Sequence, residues 1–222
     1  MSKAISYSRY STHKKCGLKY KFAYIDKIEV DRGEPGPALV RGNRLHDNAE
    51  EYMLGKIAQL DPELEFYAQW LHGLRENYTC HPELKWGITE DWEHCGFDHP
   101  NAWLRGIFDL LIDPPEEGEQ LEIMEYKTGK IYPEHKSQRN MYALAGLLLY
   151  PKSPSVKVTT VYFDKKKHHS DTWTQEDLEK SLKPEWKSNA MMMSLDATYI
   201  PNPSYSCRWC EFSRNNGGPC QF

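Results

Sequence analysis

Asp109 closes the segment Gly106-Ile107-Phe108-Asp109, and Glu125-Tyr126-Lys127-Thr128 follows after a turn-forming stretch, Asp113-Pro114-Pro115-Glu116-Glu117-Gly118. On a strand, residues i and i+2 share a face. Glu125 and Lys127 therefore project together, with the Tyr126 carbonyl between them, and Asp109 sits on a strand that the turn can bring alongside. Two carboxylates and a carbonyl are hard oxygen ligands suited to Mg2+ or Mn2+. Such an ion polarises a scissile phosphate and lowers the pKa of a bound water. An ammonium beside it, Lys127, orients that water or stabilises developing charge. The plain alternative is a surface Glu-Lys pair, because Glu-x-Lys alone is common. Against it, Glu125 follows the mostly apolar run 121–124, and Asp109 interrupts Ile107, Phe108, Leu110, Leu111 and Ile112. A carboxylate inside an apolar strand is costly unless paired or metal-bound.

Further residues could join this chemistry. Gly42-Asn43-Arg44-Leu45-His46 lies at a helix start, with Glu50 one turn beyond His46 on the same face. A lone helical histidine is more often structural than a ligand. Gln138 and Tyr142 share a face of the helix after the Glu-x-Lys strand. Lys130, His135, Lys136 and Arg139 add positive charge around its start, where a helix N-terminus favours phosphate. That charge suits a grip on a phosphate backbone; otherwise Tyr142 packs in the core with Met141 and Leu144. Cys207-Arg208-Trp209-Cys210 is a C-x-x-C, followed by Cys220. Thiolates at this spacing chelate one metal centre, a zinc ion or an iron–sulfur cluster, whose fourth ligand must come from elsewhere. Cys80-His81 and His94-Cys95 lack a C-x-x-C and read as ordinary residues around a strand pair.

The elements that must position these groups follow from pattern. Ser6 or Ser8 caps a first helix to about residue 24, with Cys16 in its middle. A loop occupies 31–37, and helices follow over about 39–60 and after Asp61-Pro62. Strands are predicted over 84–88, 103–112 and 121–127, a helix over 136–150, a strand over 155–163 and a helix over 174–195. Thr174 and Asp177 form its cap and first-turn acid. The order implies an α/β protein with a mixed sheet and helices packed on it. One domain is expected: a helical portion at 1–80, a core at 81–196 and a cysteine-rich tail at 197–222.

Of the 222 residues, 39% are hydrophobic and 27% charged, a balance able to bury a sizeable core. The longest apolar run, 141–150, is too short to span a bilayer, and the N-terminus lacks a signal-peptide core. No membrane partner and a cytoplasmic location are expected. In that compartment six cysteines point to metal or cluster binding rather than disulfides. The net charge is −4, yet residues 1–27 carry a local excess of about +6, and Lys165-Lys166-Lys167-His168-His169 forms a second basic cluster. Such patches neutralise phosphates or are simply solvated faces.

Taken in order, Gly42…His46, Gly106…Asp109, Glu125…Lys127 and Gln138…Tyr142 resemble the RecB-like branch of the PD-(D/E)XK nucleases: G-x-x-x-H, G-x-x-D, E-x-K, Q-x-x-x-Y. Phe108 stands where the proline of "PD" would be, as is frequent in that branch. The resemblance implies a restriction-endonuclease-like fold. It implies that His46, Asp109, Glu125 and the Tyr126 carbonyl bind Mg2+ or Mn2+, that Lys127 is catalytic, and that Gln138 and Tyr142, with Arg139 beside them, position the nucleic acid. Ser6-Tyr7-Ser8 followed by Cys16-Gly17-Leu18-Lys19-Tyr20 is similar to the N-terminal element of relatives with four-cysteine clusters, the AddB nuclease domain and the fourth CRISPR-associated exonuclease family. That likeness implies a 4Fe-4S cluster on Cys16, Cys207, Cys210 and Cys220, with zinc as the alternative. Here Gly17 replaces the usual proline and the gap before Cys220 is wide. The implied activity is exonucleolytic hydrolysis of single-stranded DNA with 5′–3′ polarity, in recombination, repair, degradation or CRISPR adaptation, alone, as a homo-oligomer or with a protein partner. The rival is a non-catalytic DNA-binding adaptor, which would be expected to lose Asp109, Glu125 or Lys127.

Overall fold

The computed structural model describes residues 4–30 and 33–222. Lys3 of the basic N-terminal stretch, and Asp31 and Arg32 of the 31–37 loop, lie outside the described residues. The chain divides into two compact units, Met1–Ala4 with Pro37–Trp186, and Ile5–Gly36 with Lys187–Phe222. In chain order the helices are α1 (Tyr7–Lys15), α2 (Gly17–Tyr20), α3 (Pro37–Met53), α4 (Ala68–Asn77), α5 (His135–Leu149), α6 (Gln175–Asp177) and α7 (Lys183–Leu195). The strands are β1 (Cys80–Ile88), β2 (His94–Cys95), β3 (Leu104–Ile112), β4 (Leu121–Lys127), β5 (Ser155–Tyr162) and β6 (Lys167–Thr174).

The first unit is a six-stranded mixed sheet in the order β2-β1-β3-β4-β5-β6. β4 and β5 are parallel and every other pair is antiparallel. A parallel neighbour requires a crossover, and α5 supplies it. Leu121 and Ile123 face α5, where Gly146 lets the helix settle: a Cβ there would lie 2.7 Å from Ile123 Cδ1. The alternate face packs Leu45 and Ala49 of α3 and Leu71 of α4 on Leu110, Met124, Tyr126 and Val161. This is the expected fold class, a mixed sheet flanked by helices.

Several elements depart from the sequence reading. The first helix breaks at Cys16, whose extended backbone ends α1 and whose sulfur accepts the Lys19 N–H, so Cys16 is a cap rather than a mid-helix residue. The predicted Ser6 cap forms, its hydroxyl accepting the Arg9 N–H. α3 stops at Met53 instead of residue 60; Gly55 then takes a left-handed φ of 70°, a common helix end. β1 begins earlier than expected and contains Pro82. β2 pairs only with Gly87 and Ile88, so among the described residues no strand lies beside the outer edge of β1 at Pro82, a setting in which sheets tolerate proline. β6 was not expected at all. Only Trp173 of its eight residues is buried, so it lacks the apolar alternation that marks a strand. Lys167 and the polar residues that follow it suit an edge strand, where charge blocks further pairing. No helix of the described residues is long and apolar enough to cross a membrane.

Candidate active site

β3 and β4 pair from Ile112↔Glu122 to Leu110↔Met124 and then part. At the point of parting the Asp109 carboxylate takes over, its Oδ2 accepting the Tyr126 N–H at 2.6 Å. α3 brings His46 to the same place, with Nδ1 3.5 Å from Asp109 Oδ2 and the ring within hydrogen-bond reach of the Tyr126 backbone. On β4, Lys127 pairs with Glu125 Oε1, and Gln138 of α5 donates to that oxygen at 2.7 Å. Glu125 Oε2 is buried and has no hydrogen-bond partner among the described residues. The structure thus brings together His46, Asp109, Glu125, Tyr126 and Lys127, all of them picked out from sequence.

The electrostatics follow from burial of like charges. Burial, and then the adjoining Glu125 charge, push the Asp109 carboxyl well above the usual range, although the Tyr126 N–H opposes this. Burial works against the Lys127 ammonium, but the Glu125 and Asp109 carboxylates outweigh it and hold its pKa above the ordinary lysine value. Burial lowers the His46 pKa, with Glu125 opposing. Glu83, overlooked in the sequence, adds to this field. Burial and the charges of Glu50, Glu125 and Asp47 raise its carboxyl pKa, and Glu83 in turn acts on Asp109. It occupies β1 at a left-handed φ of 50°, where the register passes from Pro82↔Leu110 to Leu84↔Phe108. The strand predicted from sequence begins at residue 84, so Pro82 and Glu83 fall outside it.

Two motif glycines have packing reasons. A Cβ on Gly106 would lie 2.5 Å from the Trp86 ring, and one on Gly42 would lie 3.2 Å from Thr128 Oγ1. The helix residues expected to touch substrate are placed differently. Gln138, Tyr142 and Arg139 are all buried. Tyr142 packs edge-on against Phe108 and Trp86, and its hydroxyl donates to the Ile107 carbonyl at 2.7 Å while accepting from Gln138. Arg139 is held by Asp171 at 2.8 Å and by Thr160. Gln138 and Tyr142 thus brace β4 and β3, and Arg139 braces β5 and β6.

Among the described residues, no three His, Cys, Asp or Glu side chains are gathered in a geometry that could hold a metal ion. The donor set around Asp109 still fits Mg2+ or Mn2+ in its chemistry. Two buried carboxylates repel, one carboxylate oxygen lacks a partner, and a cation between them relieves both costs.

Cys16, Cys207, Cys210 and Cys220 all belong to the second unit, and all are free thiols. The Cys207 sulfur accepts the Ser204 N–H and the Cys16 sulfur that of Lys19. Cys16 lies within electrostatic reach of Cys210, and Cys220 is tied to the Cys210 loop by its N–H to the Phe212 carbonyl at 2.8 Å. The four are not drawn into a tetrad, so the expected cluster is not carried by this geometry. Gly17 has a local explanation, because a Cβ there would lie 2.9 Å from the Tyr199 carbonyl carbon. In the first unit, burial pushes the Cys80 thiol up to about 11, and its S–H donates to the Leu74 carbonyl.

A family profile described as the PD-(D/E)XK nuclease superfamily matches residues 4–215. Among solved structures, a candidate exonuclease from Eubacterium rectale is similar with a TM-score of 0.54 at 10% identity, covering 96% of this chain and 88% of that one. The protein SSO0001 aligns with a TM-score of 0.48 at 13% identity, covering 100% of this chain and 89% of that one. A comparison with curated proteins gives no match.

Proposed function

The chain belongs to the PD-(D/E)XK nuclease superfamily, and on that footing we propose a metal-dependent deoxyribonuclease acting exonucleolytically on single-stranded DNA. The observation that carries the reading is the convergence of Asp109, Glu125 and Lys127 where β3 and β4 part, with one oxygen of Glu125 buried and unpartnered. His46, Asp109, Glu125 and the Tyr126 carbonyl would hold Mg2+ or Mn2+, which supplies Lewis acidity and a water of lowered pKa.

The remaining work falls to the chain's own side chains. The Glu125 and Asp109 carboxylates raise the Lys127 pKa, which suits its ammonium to stabilising negative charge on the phosphate as phosphorus is attacked. Gln138 fixes Glu125 through Oε1 and leaves Oε2 for the cation. Tyr142 anchors Gln138 to the β3 backbone. Glu83 raises the negative potential of the site and so favours cation capture. Exonuclease action, the preference for single strands and 5′–3′ polarity draw on the RecB-like order of motifs. The similar fold of the E. rectale candidate exonuclease accords with the first of these.

A metal centre on Cys16, Cys207, Cys210 and Cys220, an iron–sulfur cluster or else zinc, is the second part of the proposal. Its support is that the Cys16 and Cys207 sulfurs already accept a backbone N–H, the interaction that stabilises a ligating thiolate. The test of the nuclease reading is digestion of 5′- and 3′-end-labelled single strands. Release of nucleotides from the 5′ end only when Mg2+ or Mn2+ is supplied, and never by Asp109→Ala, is expected. Intact strands with either metal would overturn it.

A further inference from the structure

A cavity of about 310 Å3 opens on the sheet face away from α5, apart from the catalytic residues. Its floor is the alternate face of β4, β5 and β6, and its wall is the 3-10 helix Pro62–Tyr67 and the start of α4. Tyr67 fixes that wall, buried and donating its hydroxyl to the Tyr162 carbonyl, while Phe66 and Trp70 remain 59% and 39% exposed. Large aromatics at a cavity rim on a charged surface are unusual unless something stacks on them. The floor is polar: Thr159 and Ser170 share a hydroxyl hydrogen bond at 2.8 Å, His168 stands beside them, and Lys157 neutralises Glu122 at 3.0 Å.

Two members of the basic cluster 165–169 reach this cavity, His168 in its lining and Lys166 at its rim. Lys166 occupies the turn before β6 with a left-handed φ of 48° and places its ammonium 5.0 Å over the Phe66 ring. Lys166 and Lys167 make no ion pair with a carboxylate among the described residues. The cluster also lies at the catalytic end of the sheet. Lys127 pairs in register with Tyr162, and Tyr162 with Lys167. Two strand spacings place Lys167 about 10 Å from Lys127 along the sheet.

We propose that the DNA strand beyond the scissile bond crosses the lysine turn 165–167 and stacks a base on Phe66 and Trp70. The inference rests on the single-stranded DNA reading above and adds a second, remote contact to it. Phosphates meet Lys166 and Lys167, a base face meets the exposed rings, and its edge reaches the hydroxyls and His168 on the floor. Stacking accepts any base, so the subsite grips without reading sequence. An apolar peptide would leave the two lysines and the polar floor unmatched.

The test is equilibrium binding of labelled oligothymidylates of about 5 and about 20 nucleotides in EDTA, which prevents cleavage. The parent binds the longer strand more tightly. Phe66→Ala/Trp70→Ala loses roughly 5- to 100-fold in affinity for it and no longer quenches a 2-aminopurine placed in the strand. Lys166→Ala/Lys167→Ala, a pair of exposed substitutions that touch no core, flattens the slope of log affinity against log salt by about 1.4. Parent-like affinity for the longer strand in the aromatic variant, or a parent-like salt slope in the lysine variant, overturns the subsite. Failure of the subsite and failure of the nuclease reading are separable. A protein that binds long strands through these residues but never cleaves keeps the subsite and loses the nuclease reading; one that cleaves while both variants bind like the parent does the reverse.

Discussion

Gln138 Nε2 lies 2.7 Å from Glu125 Oε1, the same oxygen that pairs with Lys127. A residue whose place in the RecB-like motif order implied contact with substrate therefore bears on a ligand of the proposed metal. Gln138→Ala should lower kcat roughly 10- to 100-fold, the usual effect of losing such a support, while DNA affinity stays near the parent's. Single-turnover kinetics beside equilibrium binding in EDTA separate the two roles. A variant that turns over like the parent at saturating DNA but binds it weakly would restore the substrate-contact reading.

Tyr142 separates its ring from its hydroxyl. Tyr142→Phe removes the bond to the Ile107 carbonyl and the one accepted from Gln138, and should cost about 1–2 kcal/mol of stability. Tyr142→Ala empties a site packed by Phe108 and Trp86 and should cost about 3–5 kcal/mol. Urea denaturation measures both; equal losses would contradict this packing.

Asp109→Asn should keep the bond from the Tyr126 N–H while removing a buried charge that Glu125 opposes. The expected outcome is a fall in cleavage of at least roughly 100-fold with no loss of thermal stability. Mg2+ or Mn2+ should raise the Tm of the parent and not of the variant. A variant that unfolds more easily and still responds to metal would mean that Asp109 is a structural residue.

Anaerobically purified protein should be brown if the second unit holds the cluster. Serine at Cys16, Cys207, Cys210 or Cys220 should bleach it, and serine at Cys80 or Cys95 should not. Colourless protein with one tightly held zinc ion would assign the site to zinc instead. Gly17→Ala should destabilise by about 1–3 kcal/mol, because its Cβ meets the Tyr199 backbone at 2.9 Å. Thermal unfolding checks this independently of any metal.

Asp196 links stability to acid. Its carboxylate accepts the Tyr199 and Thr198 N–H groups and pairs with His13 at 2.8 Å. The Tyr199 N–H foremost holds its pKa down, from 3.8 to about 2. A depressed folded pKa gives stability that is present above 3.8 and is lost as pH falls towards 2. Asp196→Ala should cost about 1–2 kcal/mol at neutral pH, and the gap should close over that acid window. A gap of constant size down to pH 2 would remove the ionised carboxylate from the account.

The carboxylate strands, α5 and the Thr174 cap were legible because each carries a local pattern: apolar runs broken by acids, helical periodicity, or a hydroxyl three residues before an acid. β6 and Glu83 were not. An edge strand with one buried residue has no periodic signature, and nothing local marks a glutamate as a neighbour of Asp109, since that neighbourhood is made by the register between β1 and β3.

The sequence by itself determined which groups can do chemistry, and its ordered motifs determined the family, because residue type sets ligand hardness and charge. Only the tertiary structure decided what each group faces. It turned Gln138, Tyr142 and Arg139 inward, because α5 crosses over β4 and buries that helix face against the strands. It also joined Lys166 to Phe66, which lies about a hundred residues earlier. Chain separation says nothing about such pairs; the pairing of the strands and the packing of helices on the two faces of the sheet bring them together.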